Sequence, residues 1–369
     1  MHPAEFEAAG LYDPGAPGAE SRLALLEYLV ARGATLDMLV EAASAGRLTL
    51  VAGELVRRAA TRITADDLAD RTGLTVDQIR RVWRAGGLPE LEHGDAVFTE
   101  TDVAGFATFA AGAAMFGEDP TLQFVRAIGV AMASIADAAL TLFGINVPAQ
   151  FDASSTDEVE QARVITLASE TLRDQVPLAV ATFLAHHVKA ANRRAAIGGA
   201  TTSASATLDL VVGFLDLVGS TALGNALSSR ELGVVIADFE RVTTDAVTRR
   251  GGRVVKHIGD EVMFVVPNAA DACDVALELC AHFGPRTETP MLRGALAFGP
   301  LVRGYGDYYG PLVNLASRMV KVAEPGAVVV TDEVRAAVAG RADLVLEELG
   351  SSTVRGFDEP VPMFSLART

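Results

Sequence analysis

The sequence predicts an α+β protein in which an all-helical N-terminal domain precedes a domain of alternating strands and helices. Apolar residues recur at helical spacing from Ser21 to about residue 196, whereas short strand patterns alternate with helical ones after residue 206. The residues between, 198–206, are Gly, Ala, Thr and Ser only, which is typical of a linker. We therefore expect domains at 21–197 and 207–369. Residues 1–20, rich in Gly, Pro, Ala and Glu, are predicted to be a flexible N-terminus.

Composition and charge limit the classes of protein to which this chain could belong. The chain has 369 residues, half of them apolar, and a net charge of −16, which argues against a nucleic-acid binder. Cys273 and Cys280 lie two helical turns apart, out of reach of a disulfide, and are expected to be buried thiols. The N-terminus lacks the apolar core of a signal peptide, and charges such as Arg126 and Asp137 interrupt the apolar region 103–143. The sequence thus predicts a cytoplasmic protein without a transmembrane segment.

In the N-terminal domain the spacing predicts mostly helices. Ser21 is expected to cap a helix through Leu29, and a short helix is expected around Leu36 and Leu39. Further helices are predicted near 121–143, 157–176 and 178–196, with a brief strand pattern at 96–98.

In the C-terminal domain the pattern predicts a sheet covered by helices. Strands are expected at 208–215, 253–256, 262–266, 292–298 and 328–331, and helices at 230–249, 270–283 and 311–322. The second and third strands flank a tight turn at Gly259-Asp260 and form a hairpin. Such an alternation with one hairpin fits an α/β or α+β sheet with helices packed on it.

Two carboxylates follow strands in this domain. Asp216 ends an apolar strand that contains Phe214, and a turn with Gly219, Ser220 and Thr221 follows it. Backbone amides of such a turn suit phosphate oxygens, and a nearby carboxylate suits a divalent cation bound to them. Asp260 lies in the hairpin turn; if its strands neighbour the first strand, the two carboxylates converge and repel unless a cation lies between them.

Two further pairs point to a nucleotide. Lys256 lies in an apolar strand and needs a partner, for which Asp307 is the candidate through a ligand. A Lys donor and an Asp acceptor complement N1 and N6 of adenine and oppose the pattern of guanine. Asn314 and Arg318 lie four apart in a predicted helix, so they share a face and can hold a ribose or phosphate oxygen as negative charge develops.

These segments resemble class III adenylyl cyclases. The resemblance covers about 208–335 and rests on an Asp before a Gly-Ser-Thr turn, the Lys-x-x-Gly-Asp pattern, and Asp307 followed by Asn314 and Arg318. It implies a catalytic domain of the nucleotidyl cyclase fold, a ferredoxin-like α/β sandwich. It also implies that Asp216 and Asp260 bind two Mg²⁺ or Mn²⁺ ions.

The same resemblance assigns the remaining site residues and the reaction. Lys256 and Asp307 would select the adenine of ATP, and Asn314 and Arg318 would stabilise the transition state, with the substrate-binding site completed by Phe214, Gly219, Ser220 and Thr221. The product would be 3′,5′-cyclic AMP with release of pyrophosphate. Because such sites take residues from two subunits, a head-to-tail homodimer with two equivalent sites is expected.

The N-terminal domain carries weaker resemblances. Residues 62–103 are similar to a helix-turn-helix of the mercury-regulator type, but the surrounding acidity favours a regulatory scaffold over DNA binding. Residues 20–197 resemble the all-helical regulatory domain of soluble, pH-responsive bacterial adenylyl cyclases. The last helix contains His186 and His187, which we predict help to sense acidity. The apolar region 103–143 would either line a pocket for a lipid-like ligand or form a plain helical core.

Other functions compete with this reading. Gly259-Asp260-Glu261 is similar to part of the Gly-Gly-Asp-Glu-Phe loop of diguanylate cyclases. A catalytically inactive DNA-binding regulator would use the 62–103 module instead. The complete set of six site residues at cyclase spacing argues against both. A guanylyl cyclase would need a guanine-reading pair in place of Lys256 and Asp307.

Overall fold

The computed structural model describes residues 2–58, 62–92, 94–149, 157–197, 207–219, 227–284 and 290–369. The predicted linker at 198–206 lies outside the described residues. The chain divides into two compact units, Met1–Leu184 and Ala185–Thr369, and each is described by itself.

The N-terminal unit is helical throughout its regular structure, as the sequence predicts. Its helices are α1 Pro3–Ala8, α2 Ala19–Ala31, α3 Leu36–Ser44, α4 Val51–Arg58, α5 Ala65–Thr72, α6 Val76–Ala85, α7 Glu100–Phe116, α8 Glu118–Ala149, α9 Glu158–Asp174 and α10 Val176–Ile197, of which α10 continues into the second unit.

The first core of this unit includes the N-terminus, which differs from the flexible segment that composition predicts. Phe6 on α1 is fully buried and packs with a cluster that includes Leu25 and Leu29 of α2. Burial of an aromatic ring offsets the entropy lost when the short helix is ordered. Ser21 does not cap α2, which begins two residues earlier; its hydroxyl accepts a hydrogen bond from the backbone N–H of Glu158, 3.2 Å away.

The second core belongs to the helix-turn-helix-like module. Both of its helices begin with a capping box, Thr64 with Asp67 on α5 and Thr75 with Gln78 on α6, which satisfies their free N–H groups. Phe98 is fully buried against these helices. The strand pattern expected at 96–98 is a single antiparallel bridge between Ile63 and Phe98.

Helix α8 leaves much of its apolar surface exposed, including Phe124, Val130 and Leu140. The segment Glu118–Phe143 is long and apolar enough to cross a membrane by length and composition, in spite of the charges that the sequence analysis weighed against a span. None of its apolar window is buried among the described residues. One such helix is weak evidence of a membrane span.

The C-terminal unit is built on one mixed sheet. Its strands are β1 Thr207–Leu217, β2 Arg253–Ile258, β3 Glu261–Val266, β4 Leu292–Arg303, β5 Tyr308–Tyr309, β6 Val328–Thr331, β7 Leu344–Ser352 and β8 Val361–Arg368. The order is β2-β3-β1-β4-β6-β8-β7, with β5 beside β4, and β4–β6 is the parallel pair. The helices are α11 Ser229–Arg249, α12 Ala269–His282, α13 Pro311–Met319 and α14 Asp332–Ala337. The predicted α+β class is confirmed.

Alternation along β1 supplies two cores, one on each face of the sheet. Val211 and Leu215 pack in the cluster that contains α12 residues, whereas Val212 and Phe214 pack in the cluster that contains α13 residues. Cys273 and Cys280 lie in the first cluster, both as free thiols, and burial raises the pKa of each to about 12. By parity Asp216 belongs to the same face of the sheet as Val212 and Phe214.

Candidate active site

The carboxylates of Asp216 and Asp260 converge at one end of β1. Asp216 stands opposite Glu261 in the antiparallel pairing of β1 with β3, and the Leu217 N–H donates to the Asp260 carbonyl at 3.1 Å. Gly259 precedes Asp260 with φ +65°, a left-handed conformation that the tight turn needs and glycine adopts without strain. The convergence that the sequence predicts if these strands are neighbours is therefore present.

Arg293 is bound to this pair and was not anticipated from the sequence. Its Nε and Nη2 donate to Oδ2 of Asp216 at 2.9 and 2.6 Å. Burial raises the pKa of Asp216; the Arg293 cation opposes this shift, and the Asp260 carboxylate adds to it. Arg293 faces Asp216 across the β1–β4 pairing. Its position at the start of a predicted strand was visible in the sequence, but the pairing partner was not.

Glu261 adds a third carboxylate beside the pair. Its Oε1 is buried without a hydrogen-bond partner among the described residues. Burial raises the pKa of Glu261, and the nearby Asp216 raises it further. Across the part of the chain that the structure describes, no group of three or more His, Cys, Asp or Glu side chains is arranged to hold a metal ion. Two carboxylates with an unsatisfied neighbour form an incomplete cation site, which suits a cation that brings its own oxygen ligands.

Lys256 and Asp307 contact each other directly, rather than through a ligand as the sequence suggested. Lys256 Nζ donates to Asp307 Oδ2 at 2.5 Å, and Asp307 Oδ1 accepts from the Tyr308 N–H at 2.8 Å. The Lys256 side chain is 42% exposed, although it lies in an apolar strand. Lys256 is exposed because it lies on β2, an edge strand of the sheet.

Helix α13 carries Asn314 and Arg318 one turn apart on a common face. Gly310 and Pro311 set its N-terminus, and Leu315, Ala316 and Met319 are buried against the sheet. Arg318 donates through Nη1 to the backbone carbonyl of Arg355. The mostly buried helix expected from the apolar neighbours is present, and it leaves Asn314 exposed.

The other predicted site residues differ in their exposure to solvent. Phe214 is only 3% exposed and packs in the core under α13, so its side chain is a packing residue and not the substrate contact that was predicted. Gly219 has φ +79° in the exposed turn after β1. Ser220 and Thr221 lie outside the described residues. His186 and His187 are exposed on α10.

Comparison with known proteins accords with this geometry. Residues 7–189 match the family described as adenylate cyclase regulatory domain, and residues 203–367 match the adenylate and guanylate cyclase catalytic domain. An uncharacterized protein of Mycobacterium tuberculosis is 33% identical over 98% of this chain and 93% of its own length. A pH-sensitive adenylate cyclase of the same species is 30% identical over 97% of this chain and 91% of its own length.

A third relative, named adenylate cyclase, comes from Streptomyces coelicolor and is 31% identical over 75% of this chain and 71% of its own length. The family matches together span both units, and the catalytic match contains the six residues that the sequence analysis singled out for metal, base and transition state. The chain therefore belongs to the adenylate cyclase family, and it joins an adenylate cyclase regulatory domain to an adenylate and guanylate cyclase catalytic domain.

Proposed function

We propose that this protein converts ATP to 3′,5′-cyclic AMP and pyrophosphate at sites shared between two copies of the chain. The observation that carries the proposal is the convergence of Asp216 and Asp260 at the end of β1, in a unit that also holds Lys256 against Asp307. In the reaction a bond forms between the ribose 3′-oxygen and the α-phosphorus while the bond from that phosphorus to the β-phosphate oxygen breaks.

Asp216 and Asp260 are suited to hold two Mg²⁺ or Mn²⁺ ions together with the substrate phosphates. The fit rests on burial and the nearby Asp260 carboxylate, both of which raise the pKa of Asp216, and on the buried, unpartnered Oε1 of Glu261 beside them. Bound divalent cations supply charge neutralisation and lower the pKa of the attacking hydroxyl. To take part, Asp216 has to exchange its two hydrogen bonds from Arg293 for the cation.

The other four residues position the nucleotide. Lys256 would donate to adenine N1 and Asp307 would accept from N6, which discriminates against guanine. Asn314 and Arg318 would hold ribose and phosphate oxygens as charge builds up at the phosphorus. Gly219 follows Asp216 in a turn whose exposed backbone approaches phosphate without a side chain in the way.

A dimer is supported by apolar groups that stay exposed beside the site residues. Ile258 is 49% exposed two residues before Asp260, and Tyr305 and Tyr309, 52% and 55% exposed, flank Asp307. Large exposed apolar side chains grouped around a polar site are typical of a surface that a partner covers. A head-to-tail homodimer would bury these side chains on both copies and form two equivalent sites.

Regulation by the N-terminal unit completes the proposal. The match to a regulatory domain and the similarity to a relative named pH-sensitive support control by pH through α10, where we keep His186 and His187 as candidate sensors. A lipid-like ligand on the apolar helices α7 and α8 is the second candidate signal. If pH control acts through these histidines, the double variant His186→Ala/His187→Ala has a flattened pH profile of cyclic AMP formation; an unchanged profile excludes them.

The proposed function is tested by mixing two inactive variants. Purified full-length protein is assayed for cyclic AMP from ATP with Mn²⁺ or Mg²⁺, with GTP as a parallel substrate. Asp216→Ala and Arg318→Ala are each expected to lose about a thousandfold in rate. An equal mixture should regain up to about a quarter of wild-type activity, because about half of the dimers are mixed and each mixed dimer has one of its two sites intact. A mixture that stays inactive contradicts the shared site, and a wild type inactive on ATP contradicts the cyclase.

A further inference from the structure

A cavity of about 460 Å³ lies on the C-terminal unit, away from Asp216 and Asp260. It is bounded by the last turns of α10, by the end of α11 with the turn that leads into β2, and by the turn between β3 and α12. Every lining residue belongs to the unit Ala185–Thr369. The volume is in the range of small-molecule sites, which is about 300–1,000 Å³.

The charged residues of the lining are mostly basic. Among the described residues it includes His187 and four arginines, Arg193, Arg194, Arg250 and Arg253, against a single carboxylate, Asp271. That carboxylate is already engaged, since its Oδ2 accepts from Asn268 Nδ2 at 2.5 Å. Asn268 caps the N-terminus of α12, whose dipole adds positive potential at the same wall. In a chain of net charge −16, such a concentration of cations is a local exception.

Arg194 is a buried arginine of this lining with an unpaired N–H group. It is 8% exposed, and its Nε has no hydrogen-bond partner among the described residues. Burial lowers the pKa of Arg194; the Tyr308 phenol opposes that shift, and the nearby Arg253 cation reinforces it. A buried cation with an unpaired donor and a like charge beside it is costly unless an anion joins it.

Two of the other arginines are anchored in place. Arg253 donates through Nη2 to the Gly306 carbonyl at 2.7 Å, and Arg250 donates through Nη1 to Glu278 at 2.8 Å. Each guanidinium is thereby oriented by one nitrogen, and a guanidinium carries five N–H donors in a planar fork. Oriented arginines lose less entropy on binding than free ones, and their geometry matches the paired oxygens of phosphate.

We propose that this cavity binds the phosphate chain of a small molecule, a di- or triphosphate, held by Arg194, Arg250 and Arg253 with Arg193 at the rim. A multivalent anion neutralises the repulsion between the neighbouring cations Arg194 and Arg253. None of the six predicted site residues lines this cavity, and anion binding there needs neither Asp216 nor a divalent cation.

The test is calorimetric titration of the full-length protein with inorganic tripolyphosphate in EDTA, which removes the metal that the catalytic site requires. We expect saturable binding of one anion per chain, weakened by salt. Arg193→Gln and Arg250→Gln should each weaken it about tenfold, the usual effect of losing one charge-assisted hydrogen bond. Arg241→Gln is the matched control, because this exposed arginine of α11 pairs with Asp238 outside the cavity and should leave binding unchanged.

Two further arms separate the alternatives. Arg318→Ala should bind tripolyphosphate as the wild type does; binding that is lost in Arg318→Ala but kept in Arg193→Gln belongs to the catalytic site and overturns the proposal. ATP in EDTA should bind more tightly than tripolyphosphate if the natural ligand is a nucleotide, and no more tightly if the phosphate chain alone is recognised. Absence of saturable tripolyphosphate binding to the wild type overturns the proposal outright, and melting curves verify that each variant is folded.

Discussion

Two ion pairs in the catalytic unit differ in how firmly they are held. Asp216 and Arg293 are joined by two hydrogen bonds, and their side chains are 16% and 30% exposed. Lys256 and Asp307 are joined by one hydrogen bond and are 42% and 24% exposed. The first pair is set by adjacent strands in register, whereas the second joins an edge strand to a loop. In the proposed reaction both pairs would have to separate when ATP binds, and the difference in burial indicates which ligand would separate each pair.

The exposed hydrogen bond between Lys256 and Asp307 breaks at little cost in free energy, because water screens the two charges and competes for the same donors and acceptors. An adenine edge can replace the contact by one donor and one acceptor of its own. The partly buried pair is screened less, and in the proposed reaction Asp216 would exchange Arg293 for a stronger partner, a divalent cation. Base selection and cation binding should therefore respond differently to removal of one member of each pair.

Among single substitutions of Asp307, Arg293 and His257, the largest effect is expected at Asp307, in the base-reading pair. Asp307→Ala should lower kcat/KM for ATP about a hundredfold and reduce the preference for ATP over GTP, because the acceptor for adenine N6 is lost and Lys256 is left without its partner. The measurement is kcat/KM with each nucleotide. The matched control is Asp332→Ala, a surface carboxylate of α14 paired with Arg335, which should leave both values unchanged. Equal losses for ATP and GTP would contradict a role in base selection.

An intermediate effect is expected at the buried pair. Arg293→Gln removes the cation that competes for Asp216, so Mn²⁺ should bind to the nucleotide-free protein about tenfold more tightly, as measured by calorimetry. Arg335→Gln, which opens an ion pair on α14, should leave Mn²⁺ binding unaltered. Weaker Mn²⁺ binding in Arg293→Gln would mean that Arg293 orients Asp216 for the cation instead of competing with it.

The smallest effect concerns pH and His257, which lies one residue after Lys256 and packs edge-on against Phe239 at a centroid distance of 5.8 Å. Burial lowers the pKa of His257, and Glu240 partly opposes this shift. Below the ordinary histidine pKa of about 6.5 the unfolded chain therefore binds a proton that the folded chain does not. The free energy of unfolding therefore decreases as the pH falls below about 6.5, and His257 does not change it above that pH.

His257→Phe keeps the ring contact and removes the titration. The Tm of the variant relative to wild type should rise by about a degree or two between pH 7.5 and pH 5.5, a change that differential scanning calorimetry resolves. His186→Gln replaces an exposed histidine and should follow the wild type over the same range. A difference between variant and wild type that does not vary with pH would exclude His257 as the source.

Local sequence determined the elements and the residues with chemistry. Alternation of apolar residues is enough to predict β1 and β3, and the 3.6-residue period with capping residues is enough for helices such as α11 and α12. Spacing alone placed Asn314 and Arg318 on one face of α13, because residues four apart on a helix always share a face. The adenylate cyclase family followed from the six residues taken together.

Tertiary structure decided what these residues contact. Neither Arg293 beside Asp216 nor Lys256 in contact with Asp307 is encoded locally, because each pair joins segments that only the strand order brings together. The same holds for burial: Phe6, in a segment whose composition suggests flexibility, lies in a core, whereas Phe124 on an apolar helix stays exposed. A periodic pattern indicates which face of an element is apolar, but whether that face is covered depends on what the rest of the chain places against it.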